Sequence, residues 1–213
     1  MMTTTLLLVI VATAALLAIS LLWRISSRRH AIPCPSWLAW MVERDNPLAR
    51  TSHASSIVSR LNLSSGMKVL DAGCGPGRVT IPLAKAVGPD GSVVAVDLQP
   101  KMLELVASKA RDAGVRNVTT LLASLGQAKL EAGSYDRAVM AAVLGEIPDR
   151  HSALVELFRC LKPGGQLAVA ELIFDPHFQR RSTINKLACG VGFEERAFFG
   201  NGIAYMLLLE RPQ

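Results

Sequence analysis

The sequence has few residues of the kinds that build disulfide frameworks or metal centres. Its four cysteines are scattered and form no C-x-x-C pair: Cys34, Cys74, Cys160 and Cys189. This usage favours a reducing compartment over a disulfide scaffold or a zinc site. The four histidines show no spacing typical of metal ligands, so we expect no metal; they are His30, His53, His151 and His177.

Aromatic residues are also scarce, at 5% of the chain, and they do not alternate with basic residues as in many nucleic-acid-binding segments. We therefore expect no nucleic-acid partner. Charge is missing from the first 23 residues, whereas Arg24, Arg28 and Arg29 follow directly. The net charge of +6 is thus partly local, which suits either an ordinary solvated face or contact with a membrane surface.

An uncharged apolar run, LLLVIVATAALLAISLLW, extends from Leu6 to Trp23. As a helix it spans roughly 27 Å, enough with its flanking threonines to cross a hydrocarbon core. We predict that residues 1–29 form a transmembrane anchor with a basic flank, the alternatives being a cleaved signal peptide or a buried core helix. Because the basic cluster follows the run, the positive-inside rule predicts a single-pass protein whose remaining chain lies in the cytoplasm.

Residues 30–50 are predicted to form a juxtamembrane linker with a short interfacial helix. Pro33 and Pro35 interrupt any continuation of the preceding helix. After them, Trp37, Trp40 and Met41 share one side of a short helix. This apolar face is suited equally to the headgroup region of a membrane and to a lid packed on the rest of the chain.

Residues 51–213 show apolar strands that alternate with helical segments. The pattern predicts strands at 68–72, 92–98, 118–123, 136–143 and 166–172, with helices between them. Such alternation is typical of an α/β protein with a doubly wound, Rossmann-like parallel sheet. Two further short strands flank a GNG turn at 200–202, which predicts a C-terminal antiparallel hairpin.

The stretch DAGCGPGRV follows the first predicted strand. Gly73, Gly75 and Gly77 allow the backbone to approach a ligand without clashes from Cβ atoms. Asp97 ends the second predicted strand, at a position where a carboxylate accepts hydrogen bonds from both hydroxyls of a ribose. The loop, the acid and the alternation of strands and helices together predict a ligand that contains a nucleoside.

Four stretches carry a resemblance to a known family: VLDAGCGPGR, VVAVDLQPKML, SYDRAVMAAVLGEIPD and LKPGGQLAVAE. From about residue 64 to residue 212 the chain resembles the class I S-adenosylmethionine-dependent methyltransferases. Within them it looks most like the small-molecule group that includes the quinone C-methyltransferases of the UbiE type. The resemblance implies a methyltransferase domain over residues 51–213 and S-adenosylmethionine as the cofactor, but its motifs do not specify a substrate.

The resemblance also implies roles for individual residues. Those expected to bind the cofactor are Asp71, Gly73, Gly75, Gly77, Asp97, Leu98, Ser124, Leu125 and Ala141. Among them, Asp97 is expected to bind the ribose hydroxyls and Leu98 to pack on the adenine. Ser124 departs from the acid that many relatives carry after the third strand, so a hydroxyl or backbone group replaces that contact.

The reaction implied is methyl transfer to a lipophilic, membrane-associated small molecule: a quinone, a phospholipid amine, or a hydrophobic phenol or thiol. A sulfonium is a good electrophile, so the protein has mainly to align the acceptor and exclude water. Glu146 and His177 are the candidate catalytic residues that remove the acceptor proton. Glu146 is also suited to cap the helix near Asp149 or to orient its loop by bonding backbone N–H groups. The alternatives are a catalytically inactive cofactor-binding membrane protein and, against the GxGxG spacing, a nucleotide-dependent oxidoreductase.

Overall fold

A computed structural model describes residues 2–30, 33–47 and 49–213. The helices within these residues are α1 Met2–His30, α2 Ala39–Val42, α3 Ala54–Arg60, α4 Thr80–Val87, α5 Pro100–Asp112, α6 Arg150–Cys160 and α7 Arg181–Val191. The strands are β1 Lys68–Ala72, β2 Ser92–Asp97, β3 Val118–Leu122, β4 Tyr135–Ala141, β5 Leu161–Leu172, β6 Glu194–Gly200 and β7 Ala204–Glu210. Short 3₁₀ helices occur at Ser36–Leu38, Arg50–Ser52 and Leu144–Glu146.

All of these strands belong to one sheet, in the order β3-β2-β1-β4-β5-β7-β6. The first five strands along the chain run parallel, whereas β7 pairs antiparallel with both β5 and β6. The predicted Rossmann-like sheet and its C-terminal hairpin are therefore confirmed. Because the strand order reverses between β1 and β4, a crevice opens beside the carboxyl ends of these two strands.

Helices cover both faces of the sheet, and this makes its parallel strands apolar on both sides. On one face, Leu154 and Leu157 of α6 and Ile184 of α7 are fully buried. On the other face, α3 and α4 contribute the buried Ile57 and Leu83. The packed sheet is a rigid support, so the loops at its carboxyl edge start from fixed positions.

The predicted and observed strand ends differ most around β4 and β5. β4 ends at Ala141 rather than at residue 143, because Ala142 adopts a positive φ of 59° and leaves the ladder. β5 begins at Leu161, ahead of the predicted start at residue 166, because Leu161 already pairs with Tyr135. After this pair the register between β4 and β5 is irregular, and residues 162–165 (KPGG) lie within the irregularity.

Helix α1 corresponds to the segment expected to anchor the chain. Among the residues that the structure describes, however, no helix is long and apolar enough to cross a membrane. The predicted transmembrane helix is therefore not supported. The C-terminal turns of α1 lie against the sheet domain instead, where the Arg24 guanidinium donates a 2.8 Å hydrogen bond to the carbonyl oxygen of Ile173.

The segment between α1 and the sheet domain is helical over Ser36–Leu38 and α2. Trp37 and Trp40 project outward, with 73% and 61% of their surface exposed. The sequence predicted an interfacial aromatic at Trp23 and a basic flank that includes Arg28 and Arg29. The side chains of these three residues lie outside what the structure describes. The same holds for positions 31, 32 and 48 of the predicted linker.

Candidate active site at the carboxyl edge of the sheet

A cavity of about 200 Å³ lies at the carboxyl edge of the sheet, at the crevice between β1 and β4. Loops that follow β1, β2, β3, β4 and β5 form its floor and sides, and residues of the segment 33–42 form a further wall. The topology therefore brings together loops that are far apart in sequence. This is the position at which open α/β sheets bind their ligands.

The glycine loop leaves the end of β1 in a conformation that side chains do not tolerate. Gly73 has a φ of +77°, and a Cβ atom there would stand 2.4 Å from a methyl carbon of Val143. Gly75 has a φ of +51°, and a Cβ atom there would extend into open space within the cavity lining. The backbone is thus bare on the side that faces a ligand, as predicted.

Asp97 holds the glycine loop to the end of β2. Its Oδ2 accepts a 3.0 Å hydrogen bond from the backbone N–H of Gly75, and its Oδ1 accepts a 2.9 Å bond from the backbone N–H of Gln99. A carboxylate offers about four acceptor positions, so two ribose hydroxyls still find partners on it. Burial raises the pKa of Asp97, and the backbone N–H donors oppose that shift.

Two of the predicted cofactor residues lie beneath the cavity rather than in its wall. Asp71 is buried, and the Thr80 hydroxyl donates a 2.6 Å hydrogen bond to its Oδ2. Burial raises the pKa of Asp71 to about 6. A Cβ atom on Gly77 would approach Val106 of α5 at 3.1 Å, so this glycine serves helix packing. Both residues shape the loop from below.

The remaining predicted cofactor positions line the cavity. They are Gly73, Gly75, Asp97, Leu98, Ser124, Leu125 and Ala141. About half of the Leu98 surface is exposed, so this side chain is available to pack on a planar ring. Val96, Met102 and Ala123 add apolar surface on the same side. An adenine-sized apolar slot beside Asp97 follows from this arrangement.

Glu146 faces the cavity from the 3₁₀ helix after β4. It does not cap α6: the Asp149 side chain does so by accepting from the Ser152 N–H at 2.9 Å, so the capping interpretation of Glu146 is wrong. Burial, reinforced by the negative charge of Asp175, raises the pKa of Glu146 to about 8, while a hydrogen bond from the Cys34 backbone opposes the shift. Glu146 is thus a weak acid at the cavity surface.

His177 lies beside Glu146, on the loop that follows β5. Its Nδ1 is 3.7 Å from Glu146 Oε1 and also 3.7 Å from Asp175 Oδ1. The loop is fixed from beneath, since the Gln179 N–H donates a 2.9 Å hydrogen bond to the buried Glu171 carboxylate. The structure therefore brings the two predicted catalytic residues together, with Asp175 as a third titratable group that sequence reasoning missed.

Sequence reasoning also left open which way the segment 33–42 faces. Cys34, Leu38 and Met41 line the cavity, as do Pro33, Pro35 and Val42. The segment is thus a wall of the site, while Trp37 and Trp40 point away from the domain. Burial raises the pKa of the Cys34 thiol to about 11, so Cys34 is a neutral part of that wall.

The charges at the cavity are one-sided. Among the described residues that line it, Asp97, Glu146 and Asp175 carry carboxyl groups, and none is lysine or arginine. A negative potential of this kind favours a cationic ligand and disfavours an anionic one. The described residues hold no group of three or more His, Cys, Asp or Glu side chains placed to bind a metal ion.

Comparison with known proteins shows what the domain is similar to. Residues 69–165 match the model of a family described as "Methyltransferase domain". The demethylmenaquinone methyltransferase of Lactococcus lactis is 33% identical over 114 residues, which are 54% of this chain and 45% of that protein. The corresponding protein of Geobacillus stearothermophilus is 35% identical over 109 residues, which are 51% of this chain and 47% of that protein. The chain spans about half the length of these curated relatives.

Among solved structures, a SAM-dependent methyltransferase from Aquifex aeolicus shares the fold, with a TM-score of 0.74 at 22% sequence identity. The match covers 84% of this chain and 99% of that one. The bare backbone at Gly75, the remaining acceptor positions of Asp97 and the apolar slot at Leu98 fit S-adenosylmethionine, whose methionine end, ribose and adenine need these surfaces. The shared fold supports the predicted cofactor, and the individual binding residues stay predictions.

Asp97 provides the most direct test of those residues. Asp97→Ala removes a charge-assisted hydrogen-bond acceptor, so the affinity for S-adenosylhomocysteine should fall by about 1.5–3 kcal/mol, roughly 10- to 150-fold in Kd. Isothermal titration calorimetry measures this loss. Asp90→Ala, in the exposed turn before β2, is the matched control and should bind normally. An unchanged Kd for Asp97→Ala would refute the assignment of this residue to the ribose.

The family match and the shared fold agree with each other. Residues 69–165 are similar to a family of methyltransferase domains, and the sheet has the fold of a solved SAM-dependent methyltransferase.

Proposed function

We propose that this chain transfers the methyl group of S-adenosylmethionine to an uncharged, lipophilic small molecule of the quinone class. The observation that carries the proposal is a single cavity whose lining runs from Gly75 and Asp97 to Glu146 and His177. Apolar residues of the segment 33–42 form its outer wall. The names of the matched relatives support a quinone ring over a phospholipid amine or a thiol, because both are demethylmenaquinone methyltransferases.

The charges of the cavity support the same class of acceptor. S-adenosylmethionine supplies its methyl group from a cationic sulfonium, which the carboxyl groups of the site favour. A carboxylate or phosphate on the acceptor finds no cationic side chain among the described lining residues, and burying an unpaired anion is costly. A hydroxylated ring that carries no charged group avoids the cost of burying an unpaired anion.

The residues of this chain then have three tasks. The segment 33–42 covers the cavity, so it limits the access of water to the methyl donor. Glu146 accepts the proton of an acceptor hydroxyl, which makes the ring electron-rich at the carbon or oxygen to be methylated. His177, 3.7 Å from the Glu146 carboxylate, steadies that carboxylate as its charge appears.

A transfer assay with a deuterium-labelled methyl donor tests the acceptor class. We expect label in a reduced naphthoquinone that carries a short isoprenoid tail, because the ring hydroxyl meets Glu146 and the tail meets apolar surface. The same ring with a carboxylate in place of the tail is the matched control and should be methylated at least tenfold more slowly. Equal rates, or label found only in phosphatidylethanolamine vesicles, would contradict the proposal.

Catalysis by Glu146 and His177 predicts a loss of turnover without a loss of cofactor binding. Glu146→Gln or His177→Ala should lower kcat at least tenfold, within the ~10²–10⁴-fold range typical for a general base, with the Kd for the cofactor unchanged. Since the base must be deprotonated and the pKa of Glu146 is about 8, wild-type kcat should rise with pH through that value.

The loss of this rise in Glu146→Gln identifies the titrating group. Glu104→Gln, at an exposed position of α5, serves as the control and should keep the wild-type pH profile. If both site variants turn over at nearly the wild-type rate, the domain works by alignment alone.

We further propose that the outward face of the segment 33–42 contacts a membrane, from which a lipophilic acceptor is drawn. Trp37 and Trp40 are exposed there, on the outer side of a segment whose inner side lines the cavity. Tryptophan is enriched at membrane interfaces because its ring is apolar and its N–H is polar. The cytoplasmic location of the catalytic domain stays a prediction from the sequence.

Quenching by brominated lipids tests this contact. All three tryptophans precede the sheet domain, so the full chain with Trp23→Phe reports on Trp37 and Trp40 alone. We expect its fluorescence to be quenched by vesicles of brominated phosphatidylcholine. Adding Leu122→Ser, at an exposed apolar position on the edge strand β3, should leave the quenching intact. Fluorescence that the vesicles do not change would show that this face lies away from the bilayer.

A further inference from the structure

The segment 33–47 closes the cavity although it lies outside the matched methyltransferase region, which begins at residue 69. Two ion pairs fasten its C-terminal end. Arg78 at the end of the glycine loop is 2.6 Å from Asp45, and Lys109 of α5 is 2.7 Å from Glu43. Lys109 also donates to the carbonyl oxygen of Pro76 in the glycine loop. This end of the segment is therefore tied to the parts of the domain that shape the cofactor loop.

At the other end of the segment, the backbone of Cys34 is held from two sides. Gln99 Nε2 donates a 2.9 Å hydrogen bond to the Cys34 carbonyl oxygen, and the Cys34 backbone N–H donates to Glu146. The backbone N–H of Gln99 donates to Asp97 at 2.9 Å. A chain of hydrogen bonds thus runs from the ribose-binding acid, through Gln99 and Cys34, to the acid on the acceptor side.

The size of the cavity indicates that this arrangement is a closed one. Its volume of about 200 Å³ is below the roughly 300–1,000 Å³ of ordinary ligand pockets, so the segment 33–47 covers the site closely. The sheet is rigid, so this segment is the wall that has to shift when ligands enter. Entry requires the bond from Gln99 to Cys34 to open, and closure over the bound cofactor forms it again.

We propose that Gln99 is a positioning residue that couples the cofactor, bound at Asp97, to closure of the segment 33–47 over the acceptor. A ligand that engages Asp97 fixes the backbone of Gln99, and the Gln99 side chain then holds the Cys34 carbonyl. Closure places Cys34 against Glu146 and brings Leu38 and Met41 over the cavity. The inference requires the cofactor but not the identity of the acceptor.

The test uses S-adenosylhomocysteine, no acceptor, and the full chain with Trp23→Phe. Calorimetry measures binding, while tryptophan fluorescence and hydrogen exchange of residues 33–47 measure closure. Gln99→Met keeps the length of the side chain and removes the donor. Gln166→Met is the matched control, since Gln166 makes a similar side-chain bond to Glu210 at the opposite edge of the sheet.

We expect parent and control to show a fluorescence change and at least tenfold slower exchange in residues 33–47 when S-adenosylhomocysteine binds. Gln99→Met should still bind it, with a Kd within about tenfold of the parent, but should show neither response. Gln99→Glu, which retains the length but loses the N–H donors when ionised, should behave in the same way. A normal closing response in both variants would overturn the proposal.

Two other results also overturn the coupling, and calorimetry separates them. Binding heat in the parent chain without any closing response would mean that the segment does not follow the cofactor. Absence of binding heat in the parent would instead refute the cofactor assignment on which the coupling depends. Neither result depends on whether the acceptor is a quinone, so failure of the proposed substrate is recognised separately.

Discussion

The carboxylate of Asp97 is the interaction on which the rest of the site depends. It ends β2, and its two oxygens accept the N–H groups of Gly75 and Gln99. The bond from Gly75 fixes the glycine loop beside β2. The bond from Gln99 fixes the residue whose side chain reaches Cys34 in the segment 33–47. A buried carboxylate is costly unless such donors satisfy it, so the loop and the acid stabilise each other in the conformation that a nucleoside requires.

The segment 33–47 and the loop around His177 complete the site around the cavity. The sheet supplies a cofactor site of a kind that many methyltransferases share, whereas residues 33–47 and the loop around His177 lie outside the matched region. We propose that these peripheral parts, together with Glu146, select the acceptor. Their apolar wall, the lack of cationic side chains among the described lining residues and the weakly acidic Glu146 together favour a lipophilic ring that loses a proton.

Local patterns in the sequence predicted the sheet, the glycine loop and Asp97, because alternation and motif spacing are short-range signals. They did not reveal the bond between Gln99 and Cys34, which joins residues 65 positions apart. Asp71 illustrates another limit, since its motif position suggested a ligand contact while Thr80 engages its carboxylate from beneath. Apolar composition likewise predicted a transmembrane span, which the described residues do not support.

A crystal structure of the full chain with S-adenosylhomocysteine tests the site most directly. We expect both ribose hydroxyls on Asp97, the adenine against Leu98, and the sulfur directed toward the side of the cavity that holds Glu146. We also expect the Gln99 amide to be bonded to the Cys34 carbonyl in the complex. A nucleoside bound away from Asp97, or a sulfur directed away from Glu146, would contradict these assignments.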